Sequence, residues 1–286
     1  VTESPLSATA GRNSQKIAQP PVEPLSEREL GVLRLIAEHQ KVAQELALAG
    51  EIQASFLPDA LPNIAGWQLA ARLQPARETS GDFYDFIRLA DGRLGILVAD
   101  VVDKGMGAAL YMALCRTLIR TYAIEDDAQP DLVFGIANRR ILLDTHTNLF
   151  VTIFYGILDP ITGTLTYCNA GHNPPYLLRS QNRDTGQAVL SSTGLPLGIF
   201  EDATWLQESV QLAPGDALVL YTDGIPEAQN RGEEFFGEKR LVEIAQANLG
   251  RSAQDMQDAL LAGVHRFMGD APQLDDITLM VVVREC

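Results

Sequence analysis

The sequence predicts an α+β fold in which two mainly antiparallel sheets pack together with pairs of helices outside them. Three observations carry this. Short β-patterned runs recur along the chain and are joined by turn signals such as Asp91-Gly92, Asp159-Pro160 and Pro214-Gly215. The helical stretches come as two consecutive pairs and do not alternate singly with strands, which argues against a doubly wound parallel sheet. The strand-like runs are also too many for one modest sheet.

Taken in order, residues 1 to about 25 are rich in Ser, Pro, Thr, Ala and Gln and lack a buried pattern, so a flexible tail is expected. Ser26-Glu27-Arg28-Glu29 has the spacing of a capping box and opens a helix over 26–57 that stops at Leu57-Pro58. Its apolar positions, among them Leu30, Leu33, Ile36, Leu46, Ile52 and Phe56, are helical in spacing without a strict heptad, and Gly50 weakens it by ~1 kcal/mol relative to Ala. Such a helix either packs back on its own domain or continues from an upstream sensor domain absent from this chain. In the second case it pairs with its twin in a homodimer, and this is the preferred reading. Strands are expected at 67–73, 83–89 and 93–101, then helices at 105–122 and 130–143. Strands resume at 148–158, 164–169 and 176–179, and a loop rich in Ser, Asn, Asp and Gly spans 180–187. Strands at 206–212 and 216–222, helices at 237–248 and 252–268 and a strand at 274–284 complete the expected domain of residues 58–286.

Composition narrows the function. The 286 residues, 46% hydrophobic and 21% charged, suit a globular protein with a sizeable core. A net charge of −15 argues against nucleic acid or an anionic membrane as partner. Cys115, Cys168 and Cys286 are odd in number and widely spaced, so neither a disulfide framework nor a zinc signature is present, and the cytoplasm is the expected compartment. No apolar run approaches the ~18 residues of a membrane span. There is no signal-peptide pattern, and Val1 in place of Met suggests a fragment.

Four acidic motifs stand at the ends of strands: Ser80-Gly81-Asp82, Val98-Ala99-Asp100, Thr222-Asp223-Gly224 and Leu274-Asp275-Asp276-Ile277-Thr278. Each alone has an ordinary explanation, as a turn-forming Asp or a hairpin Asp-Gly. Asp100 and Asp223 end apolar runs, where a carboxylate is costly unless paired or metal-bound. Adjacent Asp275 and Asp276 point to opposite faces of a strand, so one of them at most ligates directly. Carboxylates gathered without a His or Cys cluster suit hard divalent cations such as Mg²⁺ or Mn²⁺.

The order and text of these motifs resemble the metal-dependent protein Ser/Thr phosphatase (PPM) family, and within it the bacterial SpoIIE/RsbU-like branch. The matching stretches are 80–86, 98–105, Asn169 to Pro175, Tyr221 to Ala228, Phe235-Phe236-Gly237 and 275–278. The resemblance implies a four-layer α-β-β-α sandwich with two Mn²⁺ or Mg²⁺ ions at one edge of the paired sheets. By motif position, Asp100 would bridge the metals and the backbone carbonyl of Val101 would serve one of them. Asp82, Asp223 and Asp275 would be further ligands; Asp276 ranks behind Asp275 as a ligand and is read as a supporting residue. It further implies hydrolysis of phosphoserine or phosphothreonine by a metal-bridging hydroxide, with a phosphorylated anti-sigma-factor antagonist (a STAS-domain protein) as substrate. The competing expectation is a non-catalytic partner-binding module that keeps the fold. A two-metal nuclease is disfavoured by the charge.

Three local features complete the reading. His172, in Gly171-His172-Asn173-Pro174, is expected to hold a turn. The small residues of Gly105–Leu110 suggest close packing of a helix on a sheet, and that helix follows Asp100 closely enough to act as a lever on it. The family often reads Asp-x-Ser-Gly-Lys-Gly where this chain has Asp100-Val101-Val102-Asp103-Lys104-Gly105, which leaves the loop geometry at Asp103 open.

Overall fold

The computed structural model describes residues 25–125, 129–181 and 187–286. The tail expected at 1–25, save Leu25, and the centre of the loop expected at 180–187 lie outside the described residues. The chain divides into two units, Val1–Ala43 and Gln44–Cys286. Helix α1 (Glu27–Ala54) begins in the first of them. Its capping box forms as expected: the Ser26 amide donates to Glu29 Oε2 at 2.8 Å and the Glu29 amide to Ser26 Oγ at 3.3 Å. Within this unit Leu30, Val32, Leu33, Leu35, Ile36 and Val42 are all exposed.

The second unit holds two five-stranded sheets. One has the order β2 (Phe83–Arg88), β3 (Leu94–Val101), β4 (Val151–Leu158), β5 (Thr164–Ala170), β8 (Glu208–Gln211). The other runs β1 (Trp67–Gln74), β10 (Ile277–Arg284), β9 (Ala217–Tyr221), β6 (Tyr176–Leu178), β7 (Gln187–Val189). Every strand ladder is antiparallel. The α+β class and the paired antiparallel sheets are as expected. β7 was not foreseen, because three residues beside a turn-forming stretch carry too little alternation to be read. The last strand starts at Ile277 and not at 274, since the acids before it serve loops and not the ladder.

Period-2 alternation sorts the core into three layers. From β3, Leu97, Ala99 and Val101 pack with α2 (Met106–Glu125) and α3 (Pro130–Asp144). Leu94, Ile96 and Val98 from the same strand meet Leu218, Leu220, Met280 and Val282 between the sheets. Val219, Tyr221, Leu279 and Val281 pack with α4 (Gly237–Ala247) and α5 (Ala253–Met268). Each fully buried Leu, Ile or Phe stabilises by ~1.5–3 kcal/mol, so the middle layer fixes how the sheets meet. Among the described residues no helix is long and apolar enough to cross a membrane.

The small residues opening α2 divide in role. Ala108 is buried in the layer against the sheet and Ala109 is buried beside it in the chain, whereas a Cβ at Gly107 would meet open space. Close packing therefore rests on the alanines and not on Gly107.

Candidate metal centre

The alternation that fills the middle layer also aims the acids. Asp100 follows Val98 by two on β3, and Asp82 precedes Tyr84 by two ahead of β2. On the facing sheet Thr222 follows Leu220, and Thr278 precedes Met280, by the same step. All four side chains therefore project between the sheets at one edge.

Asp82 is buried there, and its Oδ2 accepts from Thr222 Oγ1 and from Thr278 Oγ1, both at 2.7 Å. Thr222 also accepts from the Thr278 amide at 3.0 Å, which ties β9 to β10 beside the acid. Asp276 holds the loop that carries Asp82. Its Oδ1 accepts from the Ala76 amide at 2.7 Å, and its Oδ2 accepts from Ser80 Oγ at 2.8 Å and the Gly81 amide at 2.9 Å. With both oxygens occupied by backbone and hydroxyl donors, Asp276 shapes the loop.

Gly81 lies against the Val101 peptide. The Val101 amide donates to the Gly81 carbonyl at 3.4 Å, and a Cβ on Gly81 would stand 3.0 Å from the Val101 carbonyl oxygen. Beyond Val101 the backbone turns through Asp103 at φ 78°. This is the left-handed region that a glycine would fill, and Asp tolerates it better than most residues. Asp103 Oδ1 accepts the Lys104 amide at 2.8 Å, so the departure from the family pattern keeps a glycine-like loop.

The electrostatics show acids crowded with too little compensating charge. Burial pushes the Asp82 carboxyl well above its ordinary range, and neighbouring Asp100 adds to the rise, against the pull of the Thr222 and Thr278 hydroxyls. Burial raises Asp100 to about 7, with Asp223 and Asp275 contributing. Asp223 is raised to about 6, first by burial and then by Asp275 and Glu227, while Lys104 opposes the shift. Asp275 is ion-paired at 2.7 Å with Lys104, whose Nζ also donates to the Leu274 carbonyl at 2.8 Å. Asp82, Asp100, Asp223 and Asp275 thus reach one neighbourhood from both sheets. Among the described residues no three His, Cys, Asp or Glu side chains already close on a single point as ligands of one ion. The donor set fits hard divalent cations nonetheless: oxygens only, with carboxyl groups that repel one another and would be relieved by positive charge.

Several residues escaped the sequence reading. Thr222 and Thr278 are in the quoted motifs, and counting by two along their strands would have aimed them at Asp82. Glu227 adds charge to Asp223. Gln53 had no local signal. Its Nε2 donates to the Ser80 carbonyl at 2.6 Å and its Oε1 accepts the Ser80 amide at 2.8 Å, two bonds to the residue that opens the Asp82 motif. Gly50, one turn earlier, is required by contact, since a Cβ there would lie 2.0 Å from the Glu78 carbonyl oxygen.

His172 is buried, and its amide donates to Asn169 Oδ1 at 2.8 Å while Nδ1 shares a hydrogen bond with Thr152 Oγ1 at 2.9 Å. Burial pulls its imidazole down to about 3, so it is neutral at physiological pH. The turn-holding part expected of it agrees with this geometry.

Lys104 holds an oxygen that a cation at Asp275 would need. Lys104→Met is therefore expected to tighten Mn²⁺ binding to the metal-free protein roughly five-fold, the equivalent of ~1 kcal/mol for a half-exposed pair. Calorimetric titration measures this, and unchanged or weaker binding would show that Lys104 does not compete.

With this geometry in hand, likeness to known proteins is informative. A family model described as Stage II sporulation protein E (SpoIIE) matches residues 90–285. The chain is 34% identical over 266 residues to Protein IcfG of Synechocystis sp. (strain ATCC 27184 / PCC 6803 / Kazusa), covering 84% of this chain and 41% of IcfG. It is 28% identical over 246 residues to the phosphoserine phosphatase RsbU of Bacillus subtilis (strain 168), covering 86% of this chain and 72% of RsbU. The chain thus spans under half of IcfG and nearly three quarters of RsbU. The solved SiaA-PP2C domain of Pseudomonas aeruginosa shares the fold with a TM-score of 0.74 at 22% identity, covering 86% of this chain and 98% of that domain.

Proposed function

The chain belongs to the SpoIIE family, and from that membership we propose that it is a metal-dependent phosphatase of phosphoserine and phosphothreonine in proteins. The observation that supports this most is the meeting of Asp82, Asp100, Asp223 and Asp275 from two sheets at one edge, where burial and mutual repulsion raise the carboxyl groups of Asp82, Asp100 and Asp223. In this reading Asp82, Asp100, Asp223, Asp275 and the Val101 carbonyl would hold two Mn²⁺ or Mg²⁺ ions, with Asp100 the central ligand of the set. Bound as a pair, such ions lower the pKa of a water for attack on phosphorus and take up charge on the phosphoryl oxygens.

The chain's own residues prepare that place. Thr222 and Thr278 fix one oxygen of Asp82 and leave the other free of them. Asp276 sets the loop that brings Asp82 and Gly81 to Val101. The buried thiols are poor candidates for a protein nucleophile: burial pushes Cys115 far up and Cys168 to about 12, so neither is a thiolate at neutral pH.

The substrate we favour is a phosphorylated STAS-domain protein in the cytoplasm, in line with the chain's resemblance to the RsbU-like branch. Incubation of the two proteins with Mn²⁺, followed by intact mass, should show loss of one phosphate. No loss from several such phosphoproteins, beside turnover of a free phosphate ester, would move the substrate to small molecules.

Control is assigned to α1, whose exposed Leu30, Leu33 and Ile36 suit pairing with a second copy. Its last turn carries Gln53, bonded to Ser80, so a shift of that turn would be felt at Asp82. A chain beginning at Gln44 should be monomeric and should differ from the full chain in Mn²⁺-dependent rate by several-fold. The same oligomeric state and rate in both would remove this part of the proposal.

A further inference from the structure

A polar cavity opens at the free edge of β2, beyond the acids. Asp85 stands three residues beyond Asp82 on β2, so it faces α2 and not the middle layer, ~10 Å along the strand. Arg116 and Arg120, one helical turn apart on α2, both reach it. Arg116 Nη2 lies 2.9 Å from Asp85 Oδ2, and Arg120 Nη1 donates to Oδ1 at 2.9 Å and Oδ2 at 2.8 Å. The Asp85 side chain is 1% exposed, that of Arg116 14% and that of Arg120 39%. Two guanidinium groups thus share one buried carboxylate, a net charge of +1 for the three side chains. Burial pulls Arg116 below its ordinary value, as expected of a cation short of compensation. Arg88, exposed at the end of β2, leaves the opposite face of this edge strand from Asp85 and lines the same cavity at its rim.

These groups open onto a cavity of about 370 Å³ whose opposite wall is the Pro58 to Pro62 segment, with Leu61 and Pro62 giving it an apolar side. A positive hollow in a chain of net charge −15 is a local exception that the overall composition does not explain.

We propose that this cavity is a second, non-catalytic site for a phosphate dianion carrying a small apolar body. The free faces of Arg88 and Arg120 would take the phosphate oxygens, and Leu61 and Pro62 would pack against the body. The charged side chains lining the cavity, Asp85, Arg88, Arg116 and Arg120, carry a net +2, with Asp59 of the wall segment outside the lining; this matches a dianion better than a single carboxylate, and guanidinium forks suit phosphate oxygens. The phosphate could belong to a free phosphate ester or to a phosphoserine side chain of a bound protein. Because the site joins α2 to β2, an occupant would brace the elements that follow Asp100 and Asp82.

The test uses the full chain in EDTA, so that it does not depend on turnover or on the acids binding metal. Inorganic phosphate, phenyl phosphate and a phosphoserine peptide are titrated by calorimetry at constant ionic strength. Saturable binding is expected, with phenyl phosphate at least about ten-fold tighter than inorganic phosphate, ~1.4 kcal/mol for the buried body. The double variant Arg88→Gln, Arg120→Gln keeps the Asp85–Arg116 pair and should weaken binding at least ten-fold. Asp100→Asn should leave it unchanged. A peptide that binds tighter than phenyl phosphate would identify a protein source, and the reverse order a metabolite. No saturable binding, or binding indifferent to the double variant, would overturn the proposal.

Discussion

Asp100→Asn is expected to lower Mn²⁺-dependent phosphate release by ~10³-fold or more, the equivalent of ~4 kcal/mol of lost charge stabilisation at the reacting phosphoryl group. The substitution keeps the size and shape of the side chain, and it removes one of the mutually repelling charges. In the metal-free protein Asp100 is raised to about 7. Its folded value lies above its unfolded one, so the folded state holds the proton more tightly. Metal-free stability therefore falls as pH rises from about 4 through 7, and the variant should flatten that fall. At pH 7.5 the metal-free variant should melt at or above the parent by up to roughly 5 °C. Added Mn²⁺ should raise the parent's melting temperature and leave the variant's nearly unmoved. A variant that loses stability in EDTA as well would point to a structural part for Asp100, with no bearing on metal.

Gly224→Ala is expected to be the most damaging single methyl in the second unit. A Cβ there would lie 1.9 Å from the Asp276 carbonyl oxygen and 2.9 Å from its carbon, both backbone atoms that no rotamer change can move. The turn after Thr222-Asp223 would have to back away from Asp275-Asp276. We expect a loss of about 3 kcal/mol, which lowers the melting temperature by roughly 6–10 °C. Displacement of Asp223 from Asp275 should cost a further ~100-fold in Mn²⁺-dependent rate for the folded fraction. Gly107→Ala, with open space around it in α2, is the control and should be neutral or slightly stabilising. Equal behaviour of the two alanine variants would mean that the close approach at Gly224 does not matter to the site.

The parts of this fold legible in the sequence were those with a strong local signal. The capping box at Ser26–Glu29 and the strand expected at 93–101 after the Asp91-Gly92 turn are written in neighbouring residues, and both formed as read, the strand running from Leu94 to Val101. The acidic motifs were legible as a set, because strand ends and neighbouring text recur around each Asp. The finer arrangement was not, since it depends on pairs far apart in the chain. Gln53 meets Ser80, Asp276 meets Gly81, and Thr278 meets Asp82, and no property of either partner announces the other. Asp103 is an intermediate case. Its departure from the family pattern was visible, but only the backbone, with φ at 78°, shows that the Asp takes up the glycine's conformation. β7 was missed for the opposite reason, because its three residues take their structure from pairing with β6 and not from their own pattern.

The proposed hydrolysis of phosphoserine depends on a pair of divalent cations held by carboxylates from two facing sheets. Its most direct test counts Mn²⁺ bound per chain by equilibrium dialysis while phosphate release from a phosphoserine peptide is followed in the same samples. The account predicts two Mn²⁺ per chain, with release rising as the second binds, and loss of both binding and release in Asp100→Asn. Full-rate release in EDTA, or by the Asp100→Asn chain, would contradict it.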